Sequence, residues 1–271
     1  MKKIIFLVTG VALLCLSSCF KLDNWDEPGS TWEGTVTDSY TNAPLMSSQN
    51  DWQIRIWEKS WTGFPDGASD FQELRIKQDG TYLNTKLFDG TYDLLPYNGP
   101  FWPVDTVKSL VLKKRIRHDF TVTPYLQIVD FNASLYNNGG LDSIKITFRV
   151  KAPLLQKGDR ALPRLYEMRA FLSLTPYCGN GSDSSIGVNE YTANTNINNL
   201  DEAKGVRVTC NNNNNTSWAT LLEGSSDNTT QLITLSTRVK SGYTYNVRVG
   251  ASVDDTYRKF SYSPIINLTV P

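Results

Sequence analysis

The strongest constraint on the fold of this chain is the alternation of apolar and polar side chains in many short runs. The clearest runs cover residues 54–56, 74–76, 144–150, 206–208 and 247–249. A period of two is typical of β-strands that bury one face. Turn-forming residues such as Asp79-Gly80 and Asn138-Gly139-Gly140 separate the runs, and no dozen-residue stretch has a helical period with caps. The sequence therefore predicts an all-β fold made of two β-sandwich domains.

The N-terminus has the pattern of an export signal. Lys2 and Lys3 precede an apolar run over residues 4–16, which is followed by Ser17-Ser18-Cys19. A basic start, an apolar segment and small residues before a cleavage point form a secretory signal. The Cys after two small residues resembles the bacterial lipoprotein signal. We therefore expect a signal peptide over 1–18 and lipidation of Cys19; an ordinary cleaved signal with an incidental Cys is the alternative.

Residues 19–29 are expected to form a lipidated tether. Their acidic cluster resembles the surface-export signal of Bacteroidetes lipoproteins, so we expect an outer-membrane protein exposed at the cell surface, with the periplasmic face as the alternative. The whole chain has 27 basic and 27 acidic residues. Loss of Lys2 and Lys3 leaves 25 basic residues, a net charge near −2. Such a balance indicates no nucleic-acid partner.

We expect the first sandwich domain at 30–123. Its motifs are Gly34-Thr35-Val36-Thr37-Asp38, Pro44-Leu45, and two copies of Asp-Gly-Thr-Tyr at residues 79–82 and 89–92. Asp-Gly pairs favour turns, here in a hairpin-like pair that leads into Tyr-bearing strands. The order of these motifs resembles the prealbumin-like regulatory domain of carboxypeptidases. That resemblance implies a sandwich that serves as a spacer or binding module and not as a catalyst.

We expect the second sandwich domain at 124–271. The segment 241–251, followed by Tyr262-Ser263-Pro264, looks like the last strands of a fibronectin type III or immunoglobulin-like sandwich. Such folds contain a tyrosine corner, in which a Tyr hydroxyl bonds back to the backbone. Tyr243 or Tyr245 would fill that role. The Asn-rich stretch 178–215 is expected to form loops, either as an insert or as a ligand surface.

The arrangement of the chain resembles a family of two-domain surface lipoproteins from Bacteroidetes whose activity is not established. The residues that carry the match are those of segments 20–28, 54–58 and 95–101. The resemblance implies an accessory protein in glycan capture beside the transporter and lid lipoprotein of a starch-utilisation-type system. We therefore expect a non-catalytic glycan- or nutrient-binding or scaffolding protein. A structural adhesin or fimbrial-type subunit is the alternative.

Aromatic residues provide the candidate ligand site, because rings supply apolar platforms for the flat faces of sugars. Of the seven Trp, only Trp218 lies after residue 102. The alternation places Trp52, Ile54 and Ile56 on one face of a strand, and Gln53, Arg55 and Trp57 on the other. The predicted ligand-binding residues are Trp57, Trp61, Phe101 and Trp102. The alternative is that these rings belong to the core.

The remaining chemistry-bearing residues indicate no enzyme, metal or cofactor. The single histidine, His118, adjoins Asp119 and is expected in a solvated turn. A Gly-x-Ser-x-Gly elbow, a P-loop and a dinucleotide fingerprint do not occur in the sequence. After the expected loss of Cys15 and lipidation of Cys19, Cys178 and Cys210 remain. An oxidising compartment permits a disulfide between them, and two buried thiols are the alternative.

Overall fold

The computed structural model describes residues 27–60, 70–180, 207–209 and 217–271. The first half of the chain contains β1 (Ser30–Asp38), β2 (Gln53–Glu58), β3 (Gln72–Arg75), β4 (Thr81–Leu87), β5 (Gly90–Tyr97), β6 (Val107–Leu112), β7 (Arg115–Arg117) and β8 (Phe120–Val122). The second half contains β9 (Gln127–Asn138), β10 (Leu141–Lys151), β11 (Gln156–Lys157), β12 (Arg160–Ala161), β13 (Leu165–Ser173), β14 (Arg207–Thr209), α1 (Trp218–Leu221), β15 (Ile233–Arg238), β16 (Thr244–Val253), β17 (Phe260–Tyr262) and β18 (Ile266–Thr269). The predicted all-β fold is therefore confirmed. No helix of the described segments is long and apolar enough to cross a bilayer.

The N-terminal sandwich has two sheets. One has the order β4-β1-β7, with β8 also paired to β1, and the other has the order β3-β2-β5-β6. The residues of β1 alternate between buried and half-buried along its whole length, as the period of two requires. The core between the sheets includes Trp32, Trp52, Tyr82 and Tyr92.

The C-terminal sandwich also has two main sheets. One has the order β15-β10-β9, and the other has the order β14-β13-β16-β17, with β18 paired to β16. Tyr245 is buried in β16, and its hydroxyl accepts a hydrogen bond from the backbone N–H of Lys240 over 3.0 Å. This contact is the tyrosine corner expected of such sandwiches, and Tyr245 rather than Tyr243 forms it.

The two Asp-Gly-Thr-Tyr copies are structurally different, which corrects the expected hairpin-like pair. Gly80 has φ +78°, and a Cβ there would lie 2.7 Å from the carbonyl oxygen of Leu45. Gly90 has no positive φ and begins β5. The strands β4 and β5 belong to opposite sheets, so the chain crosses between layers at Asp89. The Asp89 carboxylate instead accepts hydrogen bonds from Ser30 Oγ and the Lys114 backbone.

The segment from Pro100 to Trp102 joins the two cores. It runs antiparallel to 123–125, with hydrogen bonds from Trp102 N to Thr123 O and from Tyr125 N to Pro100 O. Phe101 packs edge-on against Trp52 in the first core, with ring centroids 5.1 Å apart. Trp102 belongs to the second core, where it packs against Tyr125 at 5.2 Å. Two neighbouring side chains thus anchor the junction in both domains.

A polar contact also ties the sandwiches together, and Arg248 lies at its centre. The Arg248 side chain is 1% exposed. Its Nη1 donates to the carbonyl oxygens of Ser47, at 2.8 Å, and Cys178, at 3.0 Å. Its guanidinium lies 4.0 Å from the ring centroid of Tyr262. Because Ser47 belongs to the first sandwich and Arg248 to the second, these contacts hold the domains in one orientation.

Two further contacts reinforce that orientation. The side chain of Gln78 donates to the Pro176 carbonyl at 2.9 Å and accepts from the Cys178 backbone N–H at 2.8 Å. Lys259 on the second sandwich forms an ion pair with Asp51 on the first at 3.0 Å. Together with Arg248, these groups make the interface polar, specific and largely enclosed.

Candidate functional site

The candidate site lies on the outer face of the sheet β3-β2-β5-β6. In β2, Ile54 and Ile56 are buried, whereas Arg55 and Trp57 are half-buried and point away from the core. The predicted division of this strand into two faces is thus observed. Arg55 lies opposite Glu73 of β3 and Leu95 of β5.

Aromatic rings and one guanidinium form a continuous row on this face. Phe71, just before β3, packs edge-on against Trp57 at 6.0 Å between ring centroids. The Arg55 guanidinium lies 3.9 Å from the Phe71 centroid and 3.5 Å from the Tyr97 centroid. Tyr97 in turn packs against Tyr257 at 5.6 Å. We call the residues Trp57, Phe71, Arg55, Tyr97 and Tyr257 the aromatic row.

The row crosses from one domain to the other. Tyr257 lies between β16 and β17, and its hydroxyl is 2.7 Å from the hydroxyl of Tyr97. This hydrogen bond raises the pKa of Tyr257. Asp255 Oδ1 accepts from the backbone N–H groups of Tyr257 and Arg258, which fixes the turn. The Lys259–Asp51 ion pair then ties the same turn to the first sandwich. The position of Tyr257 therefore depends on the domain interface.

The row is accessible to solvent. Phe71 is 36% exposed and Tyr257 is 40% exposed, while Trp57 and Tyr97 are half-buried. Aromatic side chains that retain exposed faces on a rigid sheet offer an apolar platform with polar hydroxyls at its edge. Such a surface suits a ligand that is flat and apolar on one face and rich in hydroxyls around its rim.

The structure places the predicted ligand-binding residues in different environments. Trp57 lies in the aromatic row. Phe101 is 5% exposed and Trp102 is 1% exposed, so the expectation that they form a surface platform is corrected. Both serve the domain junction, because residues 100–102 pair with 123–125 and their rings enter the two cores. Trp61 lies outside the described residues.

Sequence reasoning missed Phe71, Tyr97 and Tyr257 as members of the site. Tyr97 lies opposite Gln53 in the register of β2 and β5, so knowledge of that pairing would have placed it near Arg55. Tyr257 has no local signal, since it lies 160 positions from Tyr97 and meets it only through the packing of the two domains.

The C-terminal sandwich carries an open groove of about 370 Å³. The groove is lined by Asp130, Arg149, Thr229, Gln231 and the segment 224–227. Arg149 forms an ion pair with Asp130 at 3.3 Å and donates to the Thr230 carbonyl at 3.0 Å. Asp227 accepts from Thr229 Oγ1 and pairs with Lys151. The charged groups of this groove are thus matched with one another, and no ring lines it.

His118 and Cys178 occupy structural positions. The His118 ring packs against Phe120 at 4.7 Å, and its backbone carbonyl accepts from the Tyr82 hydroxyl. Burial lowers the pKa of His118. Asp119 accepts from the Thr35 backbone and pairs with Arg117.

Cys178 is a buried free thiol whose Sγ lies 3.4 Å from the Phe171 carbonyl. Its predicted disulfide partner Cys210 lies outside the described residues, as do Cys19 and most of the Asn-rich stretch. Within the described segments, His, Cys, Asp and Glu side chains form no group of three or more that could hold a metal ion.

The fold and surface define a class: a two-domain β-sandwich protein with an exposed aromatic row at its domain boundary. Residues 30–123 match the family model described as "Protein of unknown function (DUF3823) N-terminal domain". The first sandwich is therefore similar to the DUF3823 N-terminal domain.

Solved structures share the fold over most of the chain. A DUF3823 family protein from Bacteroides uniformis is 21% identical, with a TM-score of 0.63, and the match covers 90% of this chain and 100% of that one. One from Parabacteroides merdae is 19% identical, with a TM-score of 0.58 and the same coverage. A Bacteroides uniformis protein described as a "putative carbohydrate binding protein" is 22% identical, with a TM-score of 0.58 and the same coverage. The comparison with curated proteins gives no match.

Proposed function

We propose that this protein is a non-catalytic glycan-binding lipoprotein of the outer membrane, an accessory component of a polysaccharide-uptake system. The observation that carries the proposal is the aromatic row on the outer face of the first sandwich. It extends from Trp57 to Tyr257 through ring contacts of 5.6 and 6.0 Å and through the enclosed Arg55 guanidinium. The row thereby presents several rings side by side on one surface.

The chemistry of the row suits a sugar chain. Each sugar ring has an apolar face that can stack on an aromatic ring, and hydroxyl groups that need hydrogen-bond partners. The Tyr97 and Tyr257 hydroxyls lie at one end of the row and can exchange hydrogen bonds with such groups. Net gains per hydrogen bond are only about 1 kcal/mol, so we expect affinities on the order of micromolar to millimolar.

The comparison with the Bacteroides uniformis protein described as carbohydrate binding supports this ligand class. That protein has the same fold over 90% of this chain. The proposal of a binding role rather than catalysis rests on the same surface, because the row is built from rings and one guanidinium, which stack and donate hydrogen bonds.

The proposed location follows from the N-terminal sequence. The Cys19 thiol, placed after Ser17-Ser18, would accept the lipid, and residues 19–29 would tether the sandwiches to the outer membrane. A surface position would put the aromatic row within reach of external polysaccharide, beside a starch-utilisation-type transporter and its lid lipoprotein. Loss of the protein from the membrane fraction after Cys19→Ala tests this anchor. A variant that stays membrane-bound and lipidated would contradict it.

A glycan array tests the proposed ligand class. The soluble chain from residue 20 onward is screened against neutral and anionic polysaccharides, beside Trp57→Ala and Tyr40→Ala variants. Tyr40 is 50% exposed and lies outside the row, so it provides a matched loss of one exposed aromatic side chain. We expect Trp57→Ala to remove the wild-type signals and Tyr40→Ala to retain them. An array on which the wild-type protein binds nothing would contradict the proposed function.

A further inference from the structure

The aromatic row contains a guanidinium, that of Arg55, for which the described part of the chain provides no anionic partner. Among the residues that the structure describes, Arg55 has no ion pair and no hydrogen bond, and its Nε is buried without a partner. The other arginine in the strands of this sheet, Arg75, differs, because it pairs with Glu73 at 2.8 Å. A half-buried cation that lacks an anionic partner on a folded surface retains unused hydrogen-bond donors.

The carboxylate of Glu73, the residue opposite Arg55 on the neighbouring strand, binds other partners. Glu73 lies directly opposite Arg55 on β3, where a cross-strand ion pair would be expected. Its carboxylate instead accepts from Gln53 Nε2 at 2.8 Å and pairs with Arg75. Asp93, across from Trp57 on β5, accepts from the backbone N–H of Ser109. Glu73 and Asp93, the two carboxylates that lie opposite Arg55 and Trp57 in the strand register, therefore bind other partners.

The two rings beside Arg55 determine how a ligand could reach it. The central carbon of the guanidinium lies over the Phe71 ring at 3.9 Å and over the Tyr97 ring at 3.5 Å from the ring centroids. Because two rings lie within 4 Å of this carbon and Nε is buried, a partner is expected to reach the guanidinium through its Nη groups. Stacking between rings holds the planar guanidinium in one orientation, and its edge matches an oxyanion with two acceptor oxygens.

We propose that the aromatic row selects anionic glycans, with Arg55 receiving the carboxylate of a uronic acid or a sulfate ester while neighbouring sugar rings stack on Trp57, Phe71 and Tyr257. This inference rests on the proposed function and names its ligand class. The rings can stack on any sugar, and the fixed charge of Arg55 distinguishes anionic glycans from neutral ones. A desolvated, charge-assisted hydrogen bond is stronger than a neutral one, so the anionic group dominates selectivity.

The test compares matched glycans on the intact soluble chain. The probes are oligomers of galacturonate, mannuronate and glucuronate, each beside its carboxyl-reduced form, together with sulfated galactans beside their desulfated forms. Titration calorimetry at low and high salt gives the dissociation constants. We expect an anionic oligomer to bind at least about tenfold more tightly than its neutral counterpart, with the difference shrinking at high salt. The uronate and sulfate arms identify which anion is recognised.

Substitutions assign the effect to Arg55. We expect Arg55→Gln to remove the preference, so that the anionic oligomer and its neutral counterpart bind this variant with dissociation constants within about twofold of each other. Arg55→Lys should retain part of the preference, because it keeps the charge and loses the planar fork. Lys108→Gln is the matched control, since Lys108 is an exposed cation on β6 of the same sheet and is not a member of the aromatic row. It should change nothing.

The outcomes separate the two proposals. Equal binding of anionic and neutral forms, or a preference that survives Arg55→Gln, would overturn the anionic selectivity and leave glycan binding in place. Binding of neutral polysaccharides alone would likewise overturn the anionic selectivity and leave glycan binding in place. No binding to any probe or to any neutral polysaccharide would overturn the proposed function itself.

Discussion

Arg248 Nη1 donates a hydrogen bond to the Ser47 carbonyl oxygen over 2.8 Å and thereby joins residues 201 positions apart in the two sandwiches. Burial lowers the pKa of Arg248 to about 10, so the side chain stays charged at neutral pH inside the interface. A buried charge must be compensated, and two carbonyl groups and the Tyr262 ring do so. The relative position of the domains, and with it the aromatic row, depends on this contact.

The first prediction concerns Arg248 itself. Arg248→Met keeps much of the aliphatic volume but leaves the Ser47 and Cys178 carbonyl oxygens without this donor. We expect the free energy of unfolding to fall by about 2–6 kcal/mol, because each of the two buried unsatisfied acceptors costs about 1–3 kcal/mol. Urea denaturation provides the measurement. Arg160→Met, on the exposed β12, is the control and should stay within about 0.5 kcal/mol of wild type. An equal effect of the two substitutions would contradict the role of Arg248.

The second prediction concerns pH and Asp51. Burial raises the pKa of this carboxyl above its usual value of 3.8, although Lys259 opposes the shift. Oδ2 of Asp51 is buried without a hydrogen-bond partner, consistent with that direction. The folded state then binds the proton more tightly than the unfolded state does. Stability contributed by Asp51 is therefore present below pH 3.8 and declines as pH rises through the raised pKa.

Asp51→Asn removes this titration. We expect the stability of wild type relative to Asp51→Asn to decrease as the pH rises from 3.8 through the raised pKa of Asp51, measured by urea denaturation at each pH. Asp105→Asn, a change of an exposed carboxyl, accounts for general charge effects. A wild-type advantage that grows with pH would show that the ion pair with Lys259 outweighs desolvation.

The third prediction concerns Trp102. Because its ring lies in the second core against Tyr125, we expect Trp102→Ala to cost about 3–5 kcal/mol of stability. Trp102→Phe should cost less, since it retains a ring and removes a buried Nε1–H that has no partner. A Trp102→Ala variant as stable as wild type would contradict the assignment of this residue to the core.

The packing of Trp102 also tests the predicted domain boundary between residues 123 and 124. A fragment that begins at Pro124 lacks Trp102, which belongs to the core cluster of the second sandwich. We expect such a fragment to be less stable than one that begins near Pro100. Thermal unfolding of the two fragments gives the comparison, and equal transitions would contradict the contribution of Trp102.

The fourth prediction concerns Cys178. Burial raises the pKa of its thiol to about 12, so the nucleophilic thiolate is scarce at neutral pH. We expect iodoacetamide to leave Cys178 unmodified in the native protein and to modify it in urea without a reductant. Peptide mapping by mass spectrometry separates Cys178 from the other cysteines. Rapid labelling of the native protein would contradict the burial, and labelling in urea only after reduction would indicate the disulfide with Cys210.

Local periodicity predicted the parts of the fold that depend on single strands. The alternation in 53–58 placed Ile54 and Ile56 inside and Arg55 and Trp57 outside, as the structure has them. The tyrosine corner was also predicted from the local sequence, at Tyr243 or Tyr245, and the structure shows that Tyr245 forms it.

Contacts between distant segments explain what the sequence did not predict. In sequence, Phe101 and Trp102 resemble exposed aromatic residues of a loop. In the structure, residues 100–102 pair with 123–125, and this pairing directs the Phe101 ring into the first core and the Trp102 ring into the second. The second Asp-Gly copy differs from the first because its strand joins the opposite sheet. Tyr257 joins the aromatic row only through domain packing. These relationships depend on tertiary contacts that no local pattern records.

The most direct test of the account measures glycan affinity and thermal stability together for variants of the aromatic row. The strongest ligand from the array is titrated into wild type, Trp57→Ala, Phe71→Ala and the control Tyr40→Ala. Phe71 and Trp57 lie on the exposed side of the sheet, so their loss should leave the unfolding temperature within a few degrees of wild type. The account predicts that both row variants bind at least about tenfold more weakly, while Tyr40→Ala binds like wild type. Unchanged affinity in both row variants would contradict the claim that this surface binds glycan.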